Sequence, residues 1–217
     1  MSTTIPQFNP PQIVVDFFTA KLRRAIRAAG DQTLNPACLE APWYEVYNLW
    51  IEILLLSNRR FGSCPQAWLR AYVDDDMKKI PDFLINKYVD TVPPGIIVTT
   101  PRIIVEVKRP LPGNPSPIHI LRTFRLPQYI TQIRNQAKFA FAGHQHVTRI
   151  FLVQAVGKYW RRGVIFRTAT SPYNDRPAPL GANSNISWGP ISELLTANSD
   201  ARVQIYLNNA PGNAFAH

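Results

Sequence analysis

At 217 residues with 46% apolar side chains, the chain can bury one sizeable core, with residues to spare for an arm or a tail. No apolar run reaches the ~18 residues of a membrane span, no secretory leader is visible, and Cys38 and Cys64 are too few for a disulfide framework or a zinc site. The net charge of +10 is not spread evenly: no Asp or Glu occurs from Arg109 to Asn174, and ten basic residues do, while the other 14 basic residues balance the 14 acids.

These features predict an intracellular protein, nuclear or cytoplasmic, with reduced thiols and no membrane partner. A solvated face usually mixes both signs, so a one-signed segment points to a polyanion, and nucleic acid is the partner expected.

The first element predicted is an amphipathic helix over 12–29, closed by Gly30, with Ile13, Phe17, Leu22 and Ile26 on its packed face. A loop follows to Ala41, and Pro42 suits the first turn of a second helix over 43–57. That segment, "WYEVYNLWIEILLLS", is apolar nearly all round and reads as buried. Its exceptions, Glu45 and Glu52, share a stripe, and a buried carboxylate needs a partner or a metal.

Three strands with short turns come next, as an antiparallel meander: 68–73, 80–86 and 103–110. The polar turn after the first carries Asp74, Asp75 and Asp76. In the third, "IIVEVKRP", alternation sends Ile103, Val105 and Val107 one way and Ile104, Glu106 and Lys108 the other. The plain explanation of that pair is a half-buried strand with a solvated side and an ordinary ion pair. Asp82, just after Pro81 on the neighbouring strand, suggests another. Two carboxylates on adjacent strands suit Mg²⁺, and an ammonium one pleat along would lie near its waters.

The proline-rich stretch 110–117 reads as a loop, and Pro127 opens a helix to about Ala142. Ile130, Ile133, Ala137 and Ala140 form its apolar face, and Gln128, Gln132 and Gln136 recur along another stripe. A core strand over 149–156 and its hairpin partner over 159–166 follow. The tail beyond Arg167 is loop-rich, with a short helix near 191–197 and a strand near 203–207 expected in it. The fold class expected is α/β, a mixed α+β sheet flanked by helices. Residues 1–41 are expected to form a basic helix and loop packed on the core, 42–167 the core, and 168–217 the extension.

At Pro81-Asp82 and Glu106-Val107-Lys108 the chain resembles the PD-(D/E)XK nuclease superfamily, whose restriction-endonuclease-like core runs helix, three strands, helix, two strands. The resemblance implies that Asp82 and Glu106 are metal ligands, that the Val107 carbonyl is another, and that Lys108 is catalytic. Many members add a glutamate from the first core helix, for which Glu45 is better placed than Glu52. The cofactor implied is Mg²⁺, with Mn²⁺ an alternative, and the activity is phosphodiester hydrolysis, of DNA ahead of RNA. The Gln-x-x-x-Tyr element of one large branch is absent. Arg109, Arg122, Arg125, Lys158, Arg161 and Arg162, with Gln132 and Gln136, are the nucleic-acid contacts expected, Arg161 and Arg162 foremost. The rival readings are a catalytically inactive nucleic-acid-binding module and a protein-interaction module on the same fold. The oligomeric state stays open, a homodimer included.

Overall fold

The computed structural model describes residues 10–56, 60–67, 69–70, 78–90, 97–113, 115–167 and 186–196. It is a mixed α/β structure. Six strands form one sheet in the order β1 (Phe61–Pro65), β4 (Phe83–Asp90), β5 (Ile97–Lys108), β6 (Arg149–Val156), β7 (Tyr159–Phe166) and β8 (Ser187–Glu193). The short strands β2 (Leu69–Arg70) and β3 (Lys78–Lys79) make a separate antiparallel ribbon. The helices among the described residues are α1 (Gln12–Gly30), α2 (Ala41–Leu55), α3 (Pro117–Phe124) and α4 (Pro127–Gly143).

Only β5 and β6 pair in parallel within the six-stranded sheet. A parallel pair needs a crossover, and residues 109–148 supply it with α3 and α4. Alternation along β5 then assigns the two faces. Ile103, Val105 and Val107 join Leu22, Val46, Tyr47, Trp50 and Trp160 in a core under α1 and α2. Ile104 joins Leu152, Ile165 and the α4 residues Ile133, Ala137 and Ala140 in a second core.

The β6–β7 turn needs a residue at positive φ, and Gly157 provides it at +55°. The Tyr47 hydroxyl donates to the Gly157 carbonyl at 2.9 Å, which pins the hairpin to α2. A Cβ at Gly157 would also come within 2.9 Å of Pro110 Cβ.

Several predicted elements differ. On α1 the packed side is Leu22, Ala25 and Ala29 with Ile26 beside them, while Ile13 and Phe17 are 78% and 59% exposed. The first strand of the meander is Phe61–Pro65, not 68–73; of the latter only Leu69–Arg70 is described, and it belongs to the ribbon. A strand written "FGSCP" carries little β signal, but Tyr88 lies so close over Gly62 that any Cβ there would collide with its ring. Helix α3 arises directly out of the proline-rich loop, with Pro117 in its first turn. The helix expected near Ile191 is instead the strand β8, recruited by pairing with β7. Asp74, Asp75, Asp76 and the strand expected over 203–207 lie outside the described residues.

Candidate active site

The meander gathers Asp82, Glu106 and Lys108 at one end of the sheet. Phe83 pairs with Val105, so β4 begins one residue after Asp82 and leaves the end of β5 without a ladder neighbour on that side. The Val107 N–H, freed there, donates to Asp82 Oδ2 at 2.6 Å. In an extended strand a residue's N–H and C=O point to the same edge, so the Val107 carbonyl also opens beside Asp82.

Glu106 and Lys108 project from the other face of that strand, toward α4. The solvated side imagined for them does not exist: Glu106 is 1% exposed and Lys108 8%. Lys108 Nζ donates to Glu106 Oε1, as does Gln132 Nε2, and Gln136 Nε2 reaches Oε2 at 2.7 Å. Two glutamines one helical turn apart thus turn the same way and hold one carboxylate. Gln128, one turn earlier, is exposed. The Tyr129 ring lies 5.5 Å from Lys108 Nζ, within cation–π range. A cleft of about 540 Å³ opens along the flank of α4 that carries Gln132 and Gln136 and is closed on its far side by Lys79 and Ile80.

The charges do not balance. Burial pushes the Asp82 carboxyl up to about 7, and the Glu106 charge adds to this, against the Val107 hydrogen bond and Lys108. Burial also raises Glu106, in spite of its bonds to Lys108 and Gln136. Burial works against the charge on Lys108, but Glu106, Asp82 and Glu40 outweigh it and hold its pKa above the usual value. Lys108 is therefore an ammonium at neutral pH. Two carboxyl groups with raised pKa face one ammonium.

The helix glutamate near this cluster is Glu40, not Glu45. Because α2 starts at Ala41, Glu40 sits at its N-terminal boundary. Its Oε1 accepts from the Tyr44 hydroxyl at 2.7 Å and its Oε2 from the Arg109 N–H at 3.1 Å. Glu40 is the outside carboxylate whose charge reaches Asp82, Glu106 and Lys108. Glu45 points away from the buried Trp43, Val46, Tyr47 and Trp50 and is exposed; Glu52 is half-buried. The signal for Glu40 was present in Pro42, which marks the helix start and so puts the carboxylate on the turn just before it.

The basic residues do not assemble into one groove. Arg161 is 4% exposed and serves the interior: Nε and Nη2 bond Gln154 Oε1 at 2.9 and 2.8 Å, and Nη2 also bonds the Phe124 carbonyl. Arg162, the next residue on β7, faces the opposite side and packs over Gly189. Lys158 is paired with Glu193 at 2.7 Å. Arg109, Arg122 and Arg125 are exposed. Arg161 and Arg162 thus cannot act as a joint phosphate clamp, because neighbours on a strand point to opposite faces.

Among the described residues no three His, Cys, Asp or Glu side chains gather into a ligand set. The donors present are all oxygens: two carboxyl groups held above their ordinary pKa by burial, and a carbonyl on the same edge. That chemistry fits a hard cation that keeps most of its waters, as Mg²⁺ does, and not a nitrogen–sulfur zinc centre. No family model matches the sequence, and comparison with curated proteins finds none similar to it. No described helix is long and apolar enough to cross a membrane.

Proposed function

We propose that the chain is a divalent-metal-dependent nuclease of the PD-(D/E)XK type, with a restriction-endonuclease-like core, that hydrolyses phosphodiester bonds of DNA ahead of RNA. The observation that carries this reading is the cluster at one end of β4 and β5 in which half-buried Asp82 and buried Glu106 face the single ammonium of Lys108.

Asp82 and Glu106 are the residues that would hold Mg²⁺ or Mn²⁺, with the Val107 carbonyl as a third oxygen. When bound, the cation supplies Lewis-acid charge and lowers the pKa of its water. Lys108, already protonated, is a hydrogen-bond donor and not the base: it orients the attacking water and offsets charge on the phosphate. Gln132 and Gln136 fix the Glu106 carboxylate in one orientation, which spares reorganisation during the reaction. Glu40 adds the outer negative charge expected of Glu45.

One observation favours a second reading. Glu106 already has three donors, so the cluster can stand as a closed polar lock in a nucleic-acid-binding module without catalysis. A panel of DNA and RNA substrates with Mg²⁺, Mn²⁺ or EDTA separates the two. Cleavage is expected with metal and not with EDTA, and Asp82→Asn should abolish it. Lys108→Ala should keep much of the metal affinity, read by calorimetry, while losing turnover. Glu106→Gln leaves Lys108 buried without its counter-charge, at a cost of about 3–5 kcal/mol, so its cleavage is to be read only on the folded fraction. Cleavage persisting in folded Asp82→Asn sinks the nuclease reading; binding without cleavage under every metal favours the module.

A further inference from the structure

On the flank of α4 away from Gln132 and Gln136, a second cavity of about 480 Å³ is lined by Arg125, Ile130, Arg134, Arg161, Ile186 and Trp188. Half of its lining residues are arginines and none is acidic. The Arg161 guanidinium is clamped between two rings, its carbon 4.0 Å from the Trp188 centroid and 5.1 Å from that of Phe124. Gln154 and the Phe124 carbonyl occupy Nε and Nη2, and Nη1 makes no hydrogen bond among the described residues. Arg134 Nε is buried with no partner. Arg125, at the C-terminal boundary of α3, is close enough to oppose the charge on Arg161.

Three guanidinium groups around one cavity repel one another, and no carboxylate among its lining residues neutralises them. Ile130 and Ile186 line it as well and offer the charges no hydrogen bond. Held in one orientation, Arg161 can offer Nη1 to a phosphate oxygen, and Arg125 and Arg134 bring two further guanidinium groups to the same anion. The place in the fold is also informative. Glu106 pairs with Gln154 and Gln154 with Arg161, so the three form one row across the α4 face of the sheet. Arg161 lies two strand spacings from Glu106, on the order of 10 Å between Cα atoms.

We propose that Arg125, Arg134 and Arg161 form a discrete phosphate-binding pocket, which takes one phosphate of the substrate strand near the scissile one. That the phosphate belongs to a nucleic-acid strand rests on the nuclease reading; the preference of the pocket for phosphate does not.

The first probe is inorganic phosphate, titrated calorimetrically into the full chain at low salt with EDTA. The variants are Arg125→Ala/Arg134→Ala, which spares the interior bonds of Arg161, and Arg24→Ala, on the exposed side of α1. Melting curves check that each is folded. Wild type and Arg24→Ala should bind alike, and the double variant at least about tenfold more weakly. No binding to wild type, or equal binding to the double variant, overturns the pocket. Asp82→Asn should bind phosphate as wild type does. Phosphate binding without metal-dependent cleavage would thus keep the pocket and remove the nuclease, and cleavage without phosphate binding would do the reverse. Short oligonucleotides with a 5′-phosphate or a 5′-hydroxyl identify the source. If only the phosphorylated strand loses affinity in the double variant, the pocket holds a terminal phosphate; equal loss assigns a backbone phosphate. No loss for either strand removes the substrate role.

Discussion

Asp82 and Glu40 show how much a few residues decide here. The Asp82 carboxyl titrates near 7 in the folded protein and at 3.8 in an ordinary one, so between those values the folded state holds a proton that the unfolded state has released. The contribution of a raised carboxyl therefore improves as pH falls through 7, by at most about 1.4 kcal/mol per pH unit. Metal-free wild type should gain stability from pH 8 to pH 6 relative to Asp82→Asn, in urea titrations at each pH; parallel curves would mean that Asp82 is not held near 7. Glu40→Gln should lower metal-dependent cleavage more than Glu45→Gln, and the reverse order would return the role to Glu45. The sequence made Asp82, Glu106 and Lys108 legible because a strand's two-residue period leaves little freedom about which side chains share a face. Glu40 was hidden because the loop was expected to run to Ala41 and the helix to begin at Trp43, whereas α2 begins at Ala41 and makes Glu40 its boundary residue.

At the scale of elements, the long alternating strands were legible: β6 and β7 fall where the pattern predicts, and so does the α4 face that carries Ile133, Ala137 and Ala140. The misses share a cause, since β1 and β8 are strands by pairing and not by composition, with Gly62 and Pro65 in one and Gly189 and Pro190 in the other. Helix α3 has a structural debt to β7, because its last residue, Phe124, gives both a ring and a carbonyl to Arg161. Arg161→Met would strand Gln154, which is fully buried, and should cost about 2–4 kcal/mol, whereas Arg162→Ala should cost about 1 kcal/mol. Urea denaturation of both measures the order; an Arg162 effect as large as that of Arg161 would contradict the interior role assigned to the latter.

For the whole molecule, the acid-free segment overstates the charge available to a polyanion. Sequence position cannot reveal that Arg161 is turned inward, that Arg162 faces away, or that Lys158 meets Glu193 from beyond the segment. If Arg109, Arg122, Arg125 and Arg134 carry the contacts together with the one free nitrogen of Arg161, the log–log dependence of affinity on salt should have a slope of about −3.5 to −4.5, not the roughly −9 of all ten bases. A mobility-shift series across salt concentrations reads it, and a slope near −9 would restore the continuous groove. The two halves of the α4 face also differ in how firmly they are tied down. The end of β5 that carries Glu106 and Lys108 pairs with β6 on one edge, is tied to Asp82 on the other and is buried, whereas Trp188 rides on β8, which among the described residues is the last strand of the sheet and pairs on one side. Fraying at such an edge takes less free energy than global unfolding. The carboxylate cluster therefore keeps its shape through fluctuations that lift the indole from Arg161, and the arginine cavity breathes on a clock of its own.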